Sequence, residues 1–568
     1  MKHRKSTSIL AVMSFALSGL AAHAERGSDG PLNVLYWQSI STLNPYLSSG
    51  TKDIQGASVV LEPLARYDVS GTIVPTLVED VPTVGNGGVS SDLTSITWKL
   101  KPGLLWSDGT AVTSDDVVFT YDYCAAEGSG CTQQALFADI AKVEAPDPQT
   151  VKITFTEPKP FPYGAFVGAY APILQKSQFK DCMGAAALTC TDQNFNPVGT
   201  GPFRVTEFRA NDVVVFEANP NYRDPAKPAF ATLTIKGGGD AAAAARSVFE
   251  TAETDYAWNL LVSPEVLQGM SSEGKGTVET AFGSMVEFLT LNLTDPNPAL
   301  GAKRSTLDGG RHPFLTDPAV AKALSLAIDR SIVAEVNYGA AGRPTCNLAS
   351  APAVYASTTN DWCLKQDVAE ANRLLDEAGW ILGGDGLRAK DGVKLSITFS
   401  TSTNPVRQDT QVLLKSMWSE IGVSAELKAV DGGVFFGGGA DNPDSIWPFT
   451  ADIVMYADNF TGIDPEAFMA TRTCDQIPTP TNNWGGNNIA RFCNADYDGL
   501  VAKLSKTALL ADRAAIVKAQ NDILIARGGI IPLIHRANVS GRANSLQGVQ
   551  INAWDSELWN IADWHRAK

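Results

Sequence analysis

Catalysis and cofactor binding need particular side chains at particular spacings, and this chain offers few of them. Gly269-Met270-Ser271-Ser272-Glu273-Gly274-Lys275 has the spacing of a phosphate-binding loop. Yet Gly276 stands where a hydroxyl should meet magnesium, and the preceding Pro264 to Gln268 reads as helix rather than strand. Gly384-x-Gly386-x-x-Ala389 is a partial dinucleotide fingerprint without a strand before it and reads as a glycine turn. There is no G-x-S-x-G for an elbow serine and no H-E-x-x-H for a zinc protease. After residue 24 the histidines are His312, His535 and His565, far apart. They supply few general bases, and His535, behind the apolar run Ile530 to Ile534, reads as a hydrogen-bonded structural residue. The expectation is a protein that is not an enzyme and carries no cofactor and no metal. A secreted hydrolase built on a carboxylate pair is the outside alternative, and an adhesion role a further one.

The eight cysteines fall into neighbouring pairs: Cys124 and Cys131, Cys182 and Cys190, Cys346 and Cys363, Cys474 and Cys493. Without a C-x-x-C or a histidine nearby, zinc ligation lacks its usual pattern. An even count in an exported chain points to disulfides. Eight cysteines allow about 105 connectivities. Nearest-neighbour pairing is preferred because each bridge then closes a short loop at modest entropy cost.

Export is indicated by the N-terminus. Lys2, Arg4 and Lys5 precede an apolar stretch from Ile9 to Leu20 and then Ala22-His23-Ala24, the layout of a secretory signal peptide cleaved ahead of Glu25. The apolar stretch falls short of the roughly 20 residues that span a bilayer. No cysteine follows the cut to take a lipid anchor, so a free periplasmic protein is expected. At 568 residues, 44% hydrophobic and 19% charged, the chain can bury a large core over several domains or lobes. A formal charge of -16 would repel nucleic acid and anionic lipid surfaces.

The elements that must position any site alternate in type. Leu32 to Trp37, Ile96 to Leu100 and Val151 to Phe155 have strand periodicity. Asp317-Pro318 opens a helix over Ala319 to Ile328, Asp367 with Glu370 opens another that stops at Gly379, and Val406 to Ile421 carries an apolar stripe ending at Gly422. A strand, Val423 to Val430, follows directly. Interleaved strands and helices make this an α/β chain.

Several short segments stand out in order along the chain: Leu43-Asn44-Pro45-Tyr46, Leu61-Glu62-Pro63-Leu64, Ile96 to Gly103, and Trp106-Ser107-Asp108-Gly109-Thr110 running into Thr113 to Val117. Further along come Pro197 to Phe203, Asn219-Pro220-Asn221-Tyr222, Val320 to Arg330, Leu374 to Trp380, Met417 to Val423 and Ile531-Pro532-Leu533. Most of these read as turns and caps that hold a fold. Taken together, these segments resemble the large class of extracellular solute-binding proteins of ABC importers that includes the dipeptide- and oligopeptide-binding proteins. The resemblance implies a two-lobed periplasmic-binding-protein fold. Lobe I would be 25–282 plus 536–568, with an extra subdomain at about 62–195, and lobe II would be 283–535. The lobes would join near Phe288 to Leu293 and Ile531 to Arg536. It also implies a monomer that captures a peptide or peptide-like solute between the lobes and delivers it to a membrane permease. An oligosaccharide, an opine-like conjugate or a metal chelate are the alternatives.

By the same resemblance, the basic residue that meets a peptide carboxylate falls on Arg407, counted back from Trp418. The position that holds a ligand ammonium falls on Thr461, a departure from the family pattern, with Asp458 three residues earlier and Asp464 as the other acidic candidate. Tyr46, Trp258 and Tyr456 are the preferred aromatic cleft residues. Cys474 with Cys493 is the pair that resembles a disulfide of dipeptide-binding relatives.

Overall fold

The computed structural model describes residues 25–48, 50–437, 442–460, 462–482 and 484–567. The expected leader and Thr461 lie outside them. The central feature is an eleven-stranded sheet. Its strands in chain order are β1 (Pro31–Tyr36), β2 (Phe203–Arg209), β3 (Val213–Ala218), β4 (Thr232–Gly237), β5 (Tyr256–Trp258), β6 (Gly276–Leu291), β7 (Gly342–Pro344), β8 (Ser396–Ser402), β9 (Ser424–Val430), β10 (Ile453–Asp458) and β11 (Ile530–Ala543). Across the sheet the order is β9-β8-β10-β6-β11-β5-β1-β4-β3-β2, with β7 on the side of β11.

Two long antiparallel strands, β6 and β11, tie this sheet together. Their first portions pair from Gly276 with Ala543 to Phe282 with Ala537, and the register then shifts before Val286 meets His535. Beyond the shift β6 also pairs with β10, from Val286 with Asp458 to Leu291 with Ile453. At the break, His535 donates from Nε2 to the Gly283 carbonyl at 2.7 Å, and Gly283 lies so close to Ala553 that an added Cβ would sit 2.2 Å from its carbonyl oxygen. The bulge therefore re-aims the strand pair where it passes from one half of the molecule to the other.

Helices cover the half of the sheet that contains β8 to β10. These are α1 (Pro318–Leu326), α2 (Arg330–Asn337), α3 (Val368–Glu377), α4 (Pro405–Ser419), α5 (Glu466–Ala470) and α6 (Leu510–Arg527). Their ends follow the sequence. Asp317 accepts from Ala319 N ahead of Pro318, Asp367 accepts from Glu370 N, and Asn404 accepts from Arg407 N with Pro405 in the first turn. A separate three-stranded sheet, Ser95–Lys99, Thr150–Phe155 and Ile140–Asp147, has its own core around Trp98, Tyr123, Phe137 and Phe166.

The short sequence signatures turn out to be joints. Glu62 accepts two bonds from Arg223, at 2.6 and 3.0 Å, and one from Thr200 at 2.9 Å. A Cβ on Gly199 would lie 1.9 Å from the Val60 carbonyl oxygen, so only glycine fits. The eight cysteines form four bridges, 124–131, 182–190, 346–363 and 474–493.

Candidate functional site

The seam between the two halves runs beside β6 and β11, and charged side chains gather there. Arg407, in the first turn of α4, is buried. Its Nε donates to Glu287 at 2.6 Å, Nη2 donates to the other Glu287 oxygen at 3.3 Å, and Nη1 donates to Ser402 at 2.9 Å. Glu287 is fully buried on β6, and Arg536 of β11 stands 3.5 Å from it. Arg536 also donates to Asn259 at 2.5 Å. Burial opposes the charge of Arg407, but Glu287 outweighs it and raises its affinity for the proton. For Arg536 burial prevails and the direction is downward, with Glu287 offsetting only part of it. Nε of Arg536 and the Tyr338 hydroxyl have no hydrogen-bond partner among the described residues.

Further along β6, Tyr456 and Asp458 project from β10. Tyr456 is buried against Phe288 and is pushed up to about 12 by that burial. Asp458 accepts from Arg472 at 2.9 Å and from Asn459 N at 2.9 Å, yet burial still holds its carboxyl above the usual range. A space of about 10 Å³, room for about one water, lies between Thr290, Tyr456, Arg472 and Asn488.

The rim of the seam is closed. Gly462 N donates to the Trp554 carbonyl at 2.7 Å, and an added Cβ at Gly462 would sit 2.3 Å from the Tyr67 ring. Lys159, beside Asp139 at 2.5 Å, also reaches Glu466 of α5. Arg513 holds Glu466 at 2.9 Å and Asp464 at 2.6 and 2.9 Å. Nearer the interior, Asn404 donates to the Leu261 carbonyl at 3.3 Å. Trp37, Gln38, Tyr170, Phe436 and Asn459 are half-buried at this seam.

These positions revise several expectations. Arg407 does not face an open gap; a protein carboxylate already occupies it. Asp464 is an ion-pair partner of Arg513 and accepts from Glu466 N at 3.0 Å, holding the first turn of α5. Tyr46 is fully buried in the core of the separate sheet, with its hydroxyl on the Pro172 carbonyl at 2.6 Å and its ring near Tyr123 and Phe137. Trp258 stacks on Tyr36, ring centroids 4.7 Å apart, so its neighbour Asn259 is the residue that reaches Arg536. Of the residues singled out, the structure brings Tyr456 and Asp458 together on one face of the sheet, opposite Phe288 and Val286, whereas Arg407 binds Glu287, which pairs with Ala457 and points to the other face.

Sequence reading missed Glu287, Arg536 and Arg472. Glu287 did carry a signal. A lone acid among Val286, Phe288, Leu289 and Leu291 must be buried, and a buried carboxylate requires a partner. A separate cavity of about 240 Å³, lined by Glu62, Arg66, Thr76, Tyr222, Arg223 and Trp559, lies away from the seam.

Comparison with known proteins places these features in a lineage. The family described as "Bacterial extracellular solute-binding proteins, family 5 Middle" matches residues 72–477, well over half of the chain. The chain is 23% identical over 554 residues to the glutathione-binding protein GsiB of Shigella dysenteriae, covering 97% of this chain and 96% of the relative. Among solved structures it is similar to the oligopeptide-binding protein AppA of Bacillus subtilis in complex with a nonapeptide. There the TM-score is 0.79 at 19% identity, over 96% of this chain and 100% of that one. It is also similar to NikZ of Campylobacter jejuni in complex with Ni(L-His), with TM-score 0.79 at 21% identity over 94% and 99% of the two chains. At these identities the structures establish a shared fold.

Proposed function

This chain belongs to the bacterial extracellular solute-binding proteins of family 5, which serve transport and are not enzymes, and we propose that it captures a peptide or peptide-like solute between two lobes and hands it to the permease of an ABC importer. The proposed lobes are 25–282 with 536–568, carrying a subdomain at 62–195, and 283–535. The observation that carries this reading is the pair β6 and β11. Among the described residues only these long strands run through both halves of the sheet, and their register shifts between Phe282 and Val286 and again between Glu287 and Phe288. Two strands with a local irregularity are a hinge about which lobes close over a solute and exclude water.

The relatives add chemistry. Names and complexes among them include glutathione, a nonapeptide and a nickel-histidine chelate, and amide-bearing solutes predominate. Tyr456 and Asp458 on β10, with Tyr170 and Phe436 opposite, are proposed to line the solute's place. Among the described residues no helix is long and apolar enough to cross a membrane. A periplasmic monomer released from a leader that ends near Ala24 is proposed with it.

Binding that occurs only in the folded, closed state stabilises that state by mass action. At 100 times the dissociation constant the gain is about 2.7 kcal/mol, which a thermal-shift screen detects. A panel of peptides, amino-acid conjugates and saccharides should contain at least one class that raises the melting temperature. If no class does so, the capture reading fails.

A further inference from the structure

Each charged side chain named at the seam has an oppositely charged partner within the protein, although the Nε atoms of Arg472 and Arg536 have no hydrogen-bond partner among the described residues. Arg407 is held by both oxygens of Glu287 and by Ser402. Asp458 is held by Arg472 and by a backbone N–H. Asp464 is held by Arg513, and Lys159 lies between Asp139 and Glu466. Arg536 shares Glu287 and is also in the field of Glu557, a buried carboxyl bonded to Tyr256 and Ser540.

Resting on the capture reading, we infer that Glu287 and Arg472 determine specificity by satisfying Arg407 and Asp458, so that the solute is an amide-rich molecule whose ends carry no obligatory free carboxylate or ammonium. The physical reason is competition. A ligand carboxylate reaching Arg407 would have to displace the fully buried Glu287 from a two-pronged bond. Glu287 would then be left buried with only Arg536 nearby, and a buried charge stripped of its partner is strongly unfavourable. An ammonium approaching Asp458 meets the like charge of Arg472, 2.9 Å from that carboxylate. Beside Asp458, whose carboxylate is taken up by Arg472, the half-buried part of the seam offers uncharged groups: the amides of Gln38 and Asn459, the Tyr170 hydroxyl and the face of Phe436. Amide and hydroxyl groups recognise peptide bonds without requiring charged ends.

Two tripeptide libraries of matched sequence test this on the whole mature chain, one with free ends and one N-acetylated and C-amidated. Thermal shift finds the binders and calorimetry ranks each matched pair. The expected result is that blocked peptides bind within about threefold of their free counterparts. Free-ended peptides bound at least tenfold more tightly would overturn the inference and leave solute capture standing. A response confined to some other solute class would likewise overturn it alone, whereas no response to any solute would remove the capture reading as well. Glu287→Gln, which frees Arg407, should create a tenfold or greater preference for the free acid. The wild-type comparison decides the matter even if that variant does not fold.

Discussion

Arg407 illustrates how the surroundings of a residue change its expected behaviour. In the first turn of a helix facing solvent, its loss would scarcely affect stability. With its side chain only 8% exposed and two-pronged to a fully buried Glu287, it is part of the structure. Arg407→Ala leaves that carboxylate with only Arg536, and breaking a buried pair costs about 3 to 5 kcal/mol, here at the lower end because Arg536 remains. Urea unfolding should register the loss, and an unmoved midpoint would contradict the geometry. Glu557 supplies a pH-dependent counterpart. Burial raises its carboxyl above the ordinary value of about 4.3, so upward from there the folded protein keeps a proton that the unfolded chain has released. Stability must fall as pH rises through that window and level off beyond it. Glu557→Gln should flatten this fall in a series of melting temperatures against pH, and a slope identical to wild type would count against it.

The elements were legible where the cues are local. Asp317 with Pro318 and Asp367 with Glu370 each announce a helix start within a few residues, and each does cap its helix. The lobe crossings that the resemblance implies near Phe288 to Leu293 and Ile531 to Arg536 touch only parts of β6 and β11, which run over Gly276–Leu291 and Ile530–Ala543. Their pairing joins segments some 250 residues apart and includes a bulge, and nothing in either segment alone specifies such a register. The same distance hid the partners of Arg407 and Asp458, because Glu287 and Arg472 meet them only once the sheet has formed. Short-range cysteine spacing, in contrast, was informative. The bridge 474–493 closes a loop with sequence separation 19, ahead of the helix that begins at Ala495, and loops of this size contribute about 3 kcal/mol in the chain-entropy account. Replacing both Cys474 and Cys493 by Ala should cost about that much. A double variant as stable as the native chain would refute this bridge, and four or more free thiols in the unreduced protein would refute the set of four local bridges.

For the whole molecule, the sheet and the rim belong to one device. β6 and β11 keep the halves joined, while contacts such as Lys159 with Glu466 and Gly462 with Trp554 hold them shut. On the proposed capture reading, the rim opens at little cost. When the halves separate, Lys159 retains Asp139 and Glu466 retains Arg513, so no buried charge is left alone. Closure can then be decided by the solute that fills the seam. The most direct test of this account is native mass spectrometry of protein taken from the periplasm, followed by denaturation and identification of what is released. The account predicts one small solute per chain, released chemically unchanged and able to restore the thermal shift when added back. Protein that carries nothing and is stabilised by no solute, or that releases cleaved products of what it bound, would contradict it.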